Sequence, residues 1–521
     1  MKKIIDFIRI NIKKLMMNYP VTLITIFLET IMVSFFTDTN ILDSDLFLKI
    51  VLFLLFYFLG SLFTEVIFDK KKKLYGYILF LVLSILLVYL VTNFSNTIII
   101  KLIIFYVVVT SILIVYRLFR NSNFTLSEYL VRIYGNFIKT WIIYAIISSG
   151  MLLVSGIFTA LIYDDFDIIA RVELFIMGMY LVPSMLLNLS NFEKNELSFN
   201  KIIIHYILES LVIISMIIIY IYILKILITW EIPSNVVFRI LGVLFLVAMP
   251  IWIMNNYYDD QLGKINRLLP GLFGPFVLIQ IFTLSIRIVN NGLTILRYLG
   301  ILLIIFEIIV IYLYYFKKDK LYYLFYVLIV LTFISTFMPF INMFSLSYYS
   351  QVKVLQSNLN NPKLDEVNIN RIRGAYNYLK DNIEGDKYID KYFDKETIDK
   401  INSLIKETKY DITDSIYFNV DSEEIDISSF DNLAFFTDYS YNETDKLIID
   451  YHNRKIDITN DLNIYRKKVD YREMNDYYKS NNIIDYDNLR IIINSLDVRY
   501  IMKDKEMISS YNISGIILER K

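Results

Sequence analysis

Between Pro20 and Phe344 the chain carries about eleven apolar stretches, most of them long enough to cross a bilayer, with few charges inside them. A bilayer core asks for roughly 20 apolar residues per helix, with about 17 to 25 as the usual range. Spans are read near 20–36, 47–68, 74–91, 99–116, 137–161, 174–187, 202–228, 236–254, 272–289, 298–316 and 321–344. Lipid offers the backbone no hydrogen bonds, so each run must be a helix. A membrane barrel would need alternating polar positions, and these runs are apolar all round. The stretch 174–187 is short and holds Pro183, and 272–289 opens beside Pro270, Gly274 and Pro275.

The first residues do not read as a cleavable signal. Lys2, Lys3, Arg9, Lys13 and Lys14 are spread along them, and no small-residue cleavage site follows. Ile4, Ile5, Ile8, Ile12, Leu15 and Met16 recur at helical spacing, which predicts a basic amphipathic helix lying in the membrane plane. Pro20 suits the first turn of the next helix.

Loop charges set the expected orientation, because Lys and Arg near span ends favour the cytoplasmic side. Lys70, Lys71, Lys72 and Lys73 form one such cluster. Arg117, Arg120, Arg132 and Lys139, then Lys194 with Lys201, Lys264 with Arg267, and Lys317, Lys318 and Lys320 fall on the same side. The opposite loops carry Asp38, Asp43, Asp45, Asp164, Asp165, Asp167 and Glu231. Lys49, Arg171, Arg239, Arg287 and Arg297 are scattered exceptions near outer ends. An odd span count with a cytoplasmic N-terminus puts the C-terminus outside.

The zero net charge hides an asymmetry. Residues 345–521 hold 25 Lys and Arg against 32 Asp and Glu, and the rest of the chain holds 27 against 20. The expected organisation is a basic amphipathic segment at 1–19, a transmembrane helical domain at 20–344 and a soluble domain at 345–521. The fold class is then an all-α polytopic helical bundle followed by a small extracytoplasmic α+β domain. Within the tail, helices are expected at 349–359, 370–381 and 394–406. Strands are expected at 415–420, 447–451, 455–458, 489–493, 498–502 and 513–518, the second and third as a hairpin around His452, Asn453 and Arg454.

The absence of cysteine excludes disulfides and thiolate metal sites. With only His205 and His452 there is no zinc motif, and no metal or cofactor is expected. No phosphate-binding Gly-rich loop and no serine elbow occur. No basic, aromatic-laced patch points to nucleic acid, so the bilayer is the expected partner, with any envelope protein or lipid-linked partner open. The 42 tyrosines accompany heavy Ile, Asn and Lys usage and read as the composition of an AT-rich bacterial genome.

Part of the chain, about 202–355, resembles a bacterial multispanning membrane family catalogued as domain of unknown function DUF4153. The likeness is carried by Trp230-Glu231-Ile232-Pro233-Ser234-Asn235, by Arg287-Ile288 with Gly292-Leu293-Thr294 and Arg297-Tyr298, and by 345–351 with Leu355. Tyr349 stands where that pattern has a basic residue. The resemblance implies a polytopic bacterial membrane protein with a further domain after the spans, and no reaction.

A charge deep in a bilayer costs at least about 2.5 kcal/mol and marks function by default. Glu29 and Glu307 lie near mid-span without a Lys or Arg at matching depth. Each reads either as part of a proton- or cation-linked pathway or as a carboxyl gluing helices through a Tyr, Ser or Thr. Glu209 follows His205 by four residues, so both share a helix face, and their place near the cytoplasmic end favours a snorkelling surface pair. Arg287 and Arg297 are outer-face candidates. Asp43 and Asp45 support a rival, a polyprenyl-linked envelope glycosyltransferase that keeps acids in its first outer loop. The leading reading is a transporter-like or scaffold-like protein of the cell envelope, with the enzyme as its alternative. An enzyme should set Asp38, Asp43 or Asp45 in a deep outward cavity, a transporter should set Glu29 or Glu307 on a cavity, and a scaffold should do neither.

Overall fold

The computed structural model describes residues 12–35, 44–161, 167–189, 200–229, 235–258, 266–361, 366–407, 412–419, 430–440, 444, 446–451, 454–459, 461, 482–486, 488–502 and 506–520. They form a helical bundle followed by a small sheet. Contacts divide the chain into two compact units. One comprises residues 1–363 and 374–393, the other residues 364–373 and 394–521.

In the first unit a short helix, α1 (Ile12–Asn18), bends by 111° into α2 (Pro20–Phe35). Pro20 begins α2, where its missing N–H costs nothing. Then come α3 (Ser44–Ile67), α4 (Lys73–Asn93), α5 (Thr97–Asn121) and α6 (Leu126–Leu161). Next are α7 (Asp167–Asn188), α8 (Ile202–Ile226), α9 (Asn235–Asn255), α10 (Leu269–Asn291), α11 (Ile295–Phe316) and α12 (Tyr323–Phe337). Among the described residues, nine helices are long and apolar enough to cross a membrane, and α1 with α2 makes a tenth if the bent pair is one span. The protein is a multi-pass membrane protein. α9 is 56% buried over its apolar window, whereas α7 is 6% buried, so α9 is central and α7 peripheral. Around α9, Phe245, Trp252, Phe273 and Phe276 pack edge to face or tilted, with ring centroids 5.2 to 6.1 Å apart. Large apolar side chains such as Ile146, Leu153, Ile218 and Leu278 point outward. That is costly in water and natural against lipid.

Three expected spans differ in detail. The fifth begins at Leu126, eleven residues before the expected 137, because an Arg132–Glu128 ion pair at 2.8 Å and the Phe124 ring beneath Arg132 let the polar turn join the helix. The sixth is longer than 174–187. A π-helical segment, Met177–Leu181, precedes Pro183 and keeps Asp167–Asn188 continuous. The eleventh is shorter than 321–344. It stops at Phe337 after 15 residues, about 22 Å of helix against a hydrocarbon core of about 30 Å. Pro339 and the left-handed Phe340 (φ 63°) end it, and Asn342 then caps α13 (Met343–Leu359) by accepting from the Ser345 amide at 3.1 Å.

α14 (Glu366–Asp381) and α15 (Asp386–Tyr392) follow. Tyr348 on α13 donates to the Ile383 carbonyl at 2.8 Å, and the Ile295 amide donates to the Tyr378 hydroxyl at 2.8 Å. Residues 345–363 and 374–393, counted with the tail in the sequence, therefore fold with the membrane helices.

The second unit contains α16 (Lys395–Glu407) and an antiparallel sheet. Its order is β1 (Ile412–Asn419), β6 (Leu489–Met502), β7 (Glu506–Glu519), β2 (Asn432–Ser440), with β5 (Ile483–Tyr486) also on β6. β3 (Ile448–Tyr451) and β4 (Arg454–Asp457) form the expected hairpin. Ile449, Ile456, Ile491, Ile493, Ile513 and Ile517 make its core. β6 runs straight through 489–502, where two shorter strands are expected, because β7 pairs with it across two register shifts.

Candidate functional site

The intramembrane carboxylates fall into separate settings. Glu29, on α2, is half-buried and lines a cavity of about 270 Å³ with Thr30, Phe58, Leu174, Met177 and Gly178. The far wall is the π segment of α7. A Cβ on Gly178 would lie 2.0 Å from Thr30 Oγ1, so only glycine lets the two helices approach this closely. Thr30 is itself tied to the Ile26 carbonyl at 2.7 Å. A π turn leaves backbone groups in non-standard register and is often found at functional sites.

Two acids that the sequence reading passed over belong to the same helices. Glu65, near the end of α3, caps the start of α2. It accepts from the Val21 amide at 2.7 Å, from Thr22 Oγ1 at 2.5 Å and from the Tyr77 hydroxyl at 3.1 Å. A carboxylate at a helix N-terminus satisfies orphan amides and meets the positive end of the helix dipole. Glu173, on α7, accepts from Ser148 at 2.9 Å and Tyr144 at 3.2 Å, both on α6. The signal for Glu173 was available, since Tyr144 and Ser148 stand four apart on one helix face. Glu65 lay too near the Lys70–Lys73 cluster to be separated from an interfacial acid.

Glu307 is fully buried on α11, and Gln280 Nε2 on α10 donates to its Oε1 at 3.2 Å. The expected hydroxyl partner is replaced by an amide. Among the described residues, their other oxygens, Glu307 Oε2 and Gln280 Oε1, have no hydrogen-bond donor. His205 and Glu209 do not snorkel. They are 2% and 1% exposed and lie 3.2 Å apart at the π opening of α8, Ile202–Leu208. Asn255 at the end of α9 bridges them: its Oδ1 is 3.0 Å from His205 Nδ1 and its amide donates to Glu209. Depth along α8 favours a surface position, but α9 and Tyr258 cover that face, with the His205 and Tyr258 rings 5.0 Å apart.

The outer-face candidates have local roles. Asp45 pairs with Lys49 at 2.5 Å, with the Asp45 side chain 60% and the Lys49 side chain 40% exposed. Asp43 and Asp38 lie outside the described residues, as does His452. Arg297 donates to the Asn291 carbonyl at 3.1 Å and to the Gly292 carbonyl, closing the end of α10. Arg287 sits half-buried on α10. Neither arginine faces Glu29's cavity. Among the described residues, no group of three His, Asp or Glu is placed to hold a metal ion.

A further glutamate works at another helix start. The first amides of α5 have no carbonyl one turn back within the helix. The Asn96 side chain takes Ile98 N at 2.8 Å, and the Asn96 carbonyl takes Ile99 N beside the ordinary first helical bond from Ile100 N. Glu384, 287 residues further along the chain, takes the remaining Thr97 N at 3.1 Å and the Thr97 hydroxyl. Burial alone would push the Glu384 carboxyl up. The Lys387 ammonium at 2.6 Å and the Thr97 donors outweigh it and hold the group below the usual carboxylate range. No family model, curated protein or solved structure matches the chain.

Proposed function

We propose that the chain is a transporter-like protein of a bacterial plasma membrane, in which Glu29 carries a proton or small cation between alternating exposures of its cavity. The observation that supports this most is the position of an intramembrane carboxyl on a cavity whose opposite wall is a π-helical break. Broken or irregular helices at mid-depth are the usual means by which membrane carriers free polar backbone for a substrate. Glu173, on α7 one turn before the π segment, adds a second acid to the same helices. The loop charges support a cytoplasmic N-terminus and an extracytoplasmic sheet unit. The motif likeness supports membership of the DUF4153 family.

The test uses purified protein in liposomes, an imposed proton or sodium gradient and a lumenal pH or sodium dye. Wild type should dissipate one gradient faster than empty liposomes. Glu29→Gln, which keeps the shape and cannot titrate, should abolish that flux with helix content unchanged. Wild-type flux equal to empty liposomes, or undiminished flux in Glu29→Gln, refutes the reading.

A further inference from the structure

A second and larger cleft, about 670 Å³, lies at the elbow between α1 and α2. Its walls come from five places in the sequence. Met17, Asn18 and Tyr19 are the elbow itself. Glu65 and Val66 end α3, Lys70 and Lys73 belong to the turn into α4, and Asn121, Ser122 and Phe124 form the turn from α5 to α6, with Leu118 and Leu189 behind. The chemistry is divided. Lys70 and Lys73, with the amides of Asn18 and Asn121, supply cationic and hydrogen-bonding groups. Met17, Val66, Leu118, Phe124 and Leu189 supply an apolar wall.

The level of the cleft in the membrane follows from the elbow. A short basic helix that turns by 111° into an apolar span lies along the interface, and its junction marks headgroup depth. The α3–α4 turn is at that level too, with four consecutive lysines. The acid in the cleft turns both oxygens toward Val21, Thr22 and Tyr77, and Lys70 with Lys73 outnumber it. The start of α4 at Lys73 has no side-chain cap; the Asp69 carbonyl takes the Lys72 and Lys73 amides, and the positive end of the helix dipole faces the same turn.

We infer that this cleft binds the phosphate-bearing headgroup of an anionic phospholipid, with Lys70 and Lys73 on the phosphate and the acyl chain against Met17, Leu118 and Phe124. The same phosphate chemistry belongs to soluble phosphates, but the apolar wall beside the lysines fits a molecule with a chain attached. The site is independent of the Glu29 cavity, so its test stands or falls apart from the transport reading.

The experiment titrates detergent-purified full chain with short-chain phosphatidylglycerol and reads occupancy of the one-lipid adduct by native mass spectrometry. Phosphatidylcholine of the same chain length and inorganic phosphate are the parallel arms. Phosphatidylglycerol should bind well above phosphatidylcholine, and inorganic phosphate should displace it only weakly. Each lysine near an anionic headgroup contributes about 1 kcal/mol, so Lys70→Gln with Lys73→Gln should weaken binding about 30-fold. Lys71→Gln with Lys72→Gln removes the same charge from the same turn without lining the cleft, and should leave binding near wild type. Equal binding of the two lipids, or equal losses in the two double variants, overturns the inference. Inorganic phosphate that binds as tightly as phosphatidylglycerol overturns the lipid assignment.

Discussion

Replacing Glu384 tests how a distant segment holds the start of a membrane helix. Its carboxylate satisfies the Thr97 amide and hydroxyl and pairs with Lys387, and its side chain is 18% exposed. Losing a helix cap costs about 1 kcal/mol, and a hydrogen bond to a charged group contributes about 1.5 to 3 kcal/mol. The two describe overlapping contacts, so Glu384→Ala should cost about 2 kcal/mol. Lys387 is 68% exposed and its pairing adds little. Glu384 also has a left-handed backbone at φ 62°. Glycine there relieves about 1 kcal/mol of strain, so Glu384→Gly should cost about half as much as alanine. The readout is amide hydrogen exchange in peptides covering residues 94–101, expressed as protection factors. Alanine should lower protection of that turn about 30-fold. The pH dependence has a definite sign. A carboxyl whose folded pKa is depressed contributes stability above its unfolded value, about 4.3, and loses it as pH falls through the folded value. Wild-type protection should hold from about pH 8 to 5 and fall below about pH 4, and the alanine variant should show no such fall. A variant within about twofold of wild type, or a flat wild-type profile down to pH 3, refutes the capping argument.

Further outcomes follow from the buried contacts. Glu307→Gln keeps a hydrogen-bonding partner for Gln280 and should leave the melting temperature in detergent nearly unchanged, whereas Glu307→Leu strands that amide and should cost about 1 to 3 kcal/mol. Gly178→Ala drives a methyl into Thr30 and should separate α2 from α7, lowering thermal stability by about 1 to 3 kcal/mol; Gly178→Ala paired with Thr30→Ala, which removes the hydroxyl nearest the new methyl, should recover part of that loss. A fragment beginning at Asp394 carries the β core and should melt as one cooperative transition; a fragment that remains unfolded at good yield refutes that independence.

The membrane class was legible because lipid leaves backbone groups no alternative partner, so long apolar runs can only be helices. Hydropathy alone located the apolar helices. It could not end them correctly where local chemistry decided, as at Pro339 and Phe340, or where an ion pair prolonged α6. The tail's hairpin was legible from alternation, but β2 and β5 were not, because their place depends on β7 and β6 as partners. The candidate site divides the same way. Glu29 and Glu307 stood out because a carboxyl in an apolar run is conspicuous by itself. What each faces is set by neighbours far along the chain: Gly178 against Thr30, Gln280 beside Glu307, Asn255 between His205 and Glu209. A sequence reports composition along one helix. Packing of several helices decides which face is covered, and that turned a supposed surface pair into a buried network and made Glu384 the cap of a helix 287 residues away.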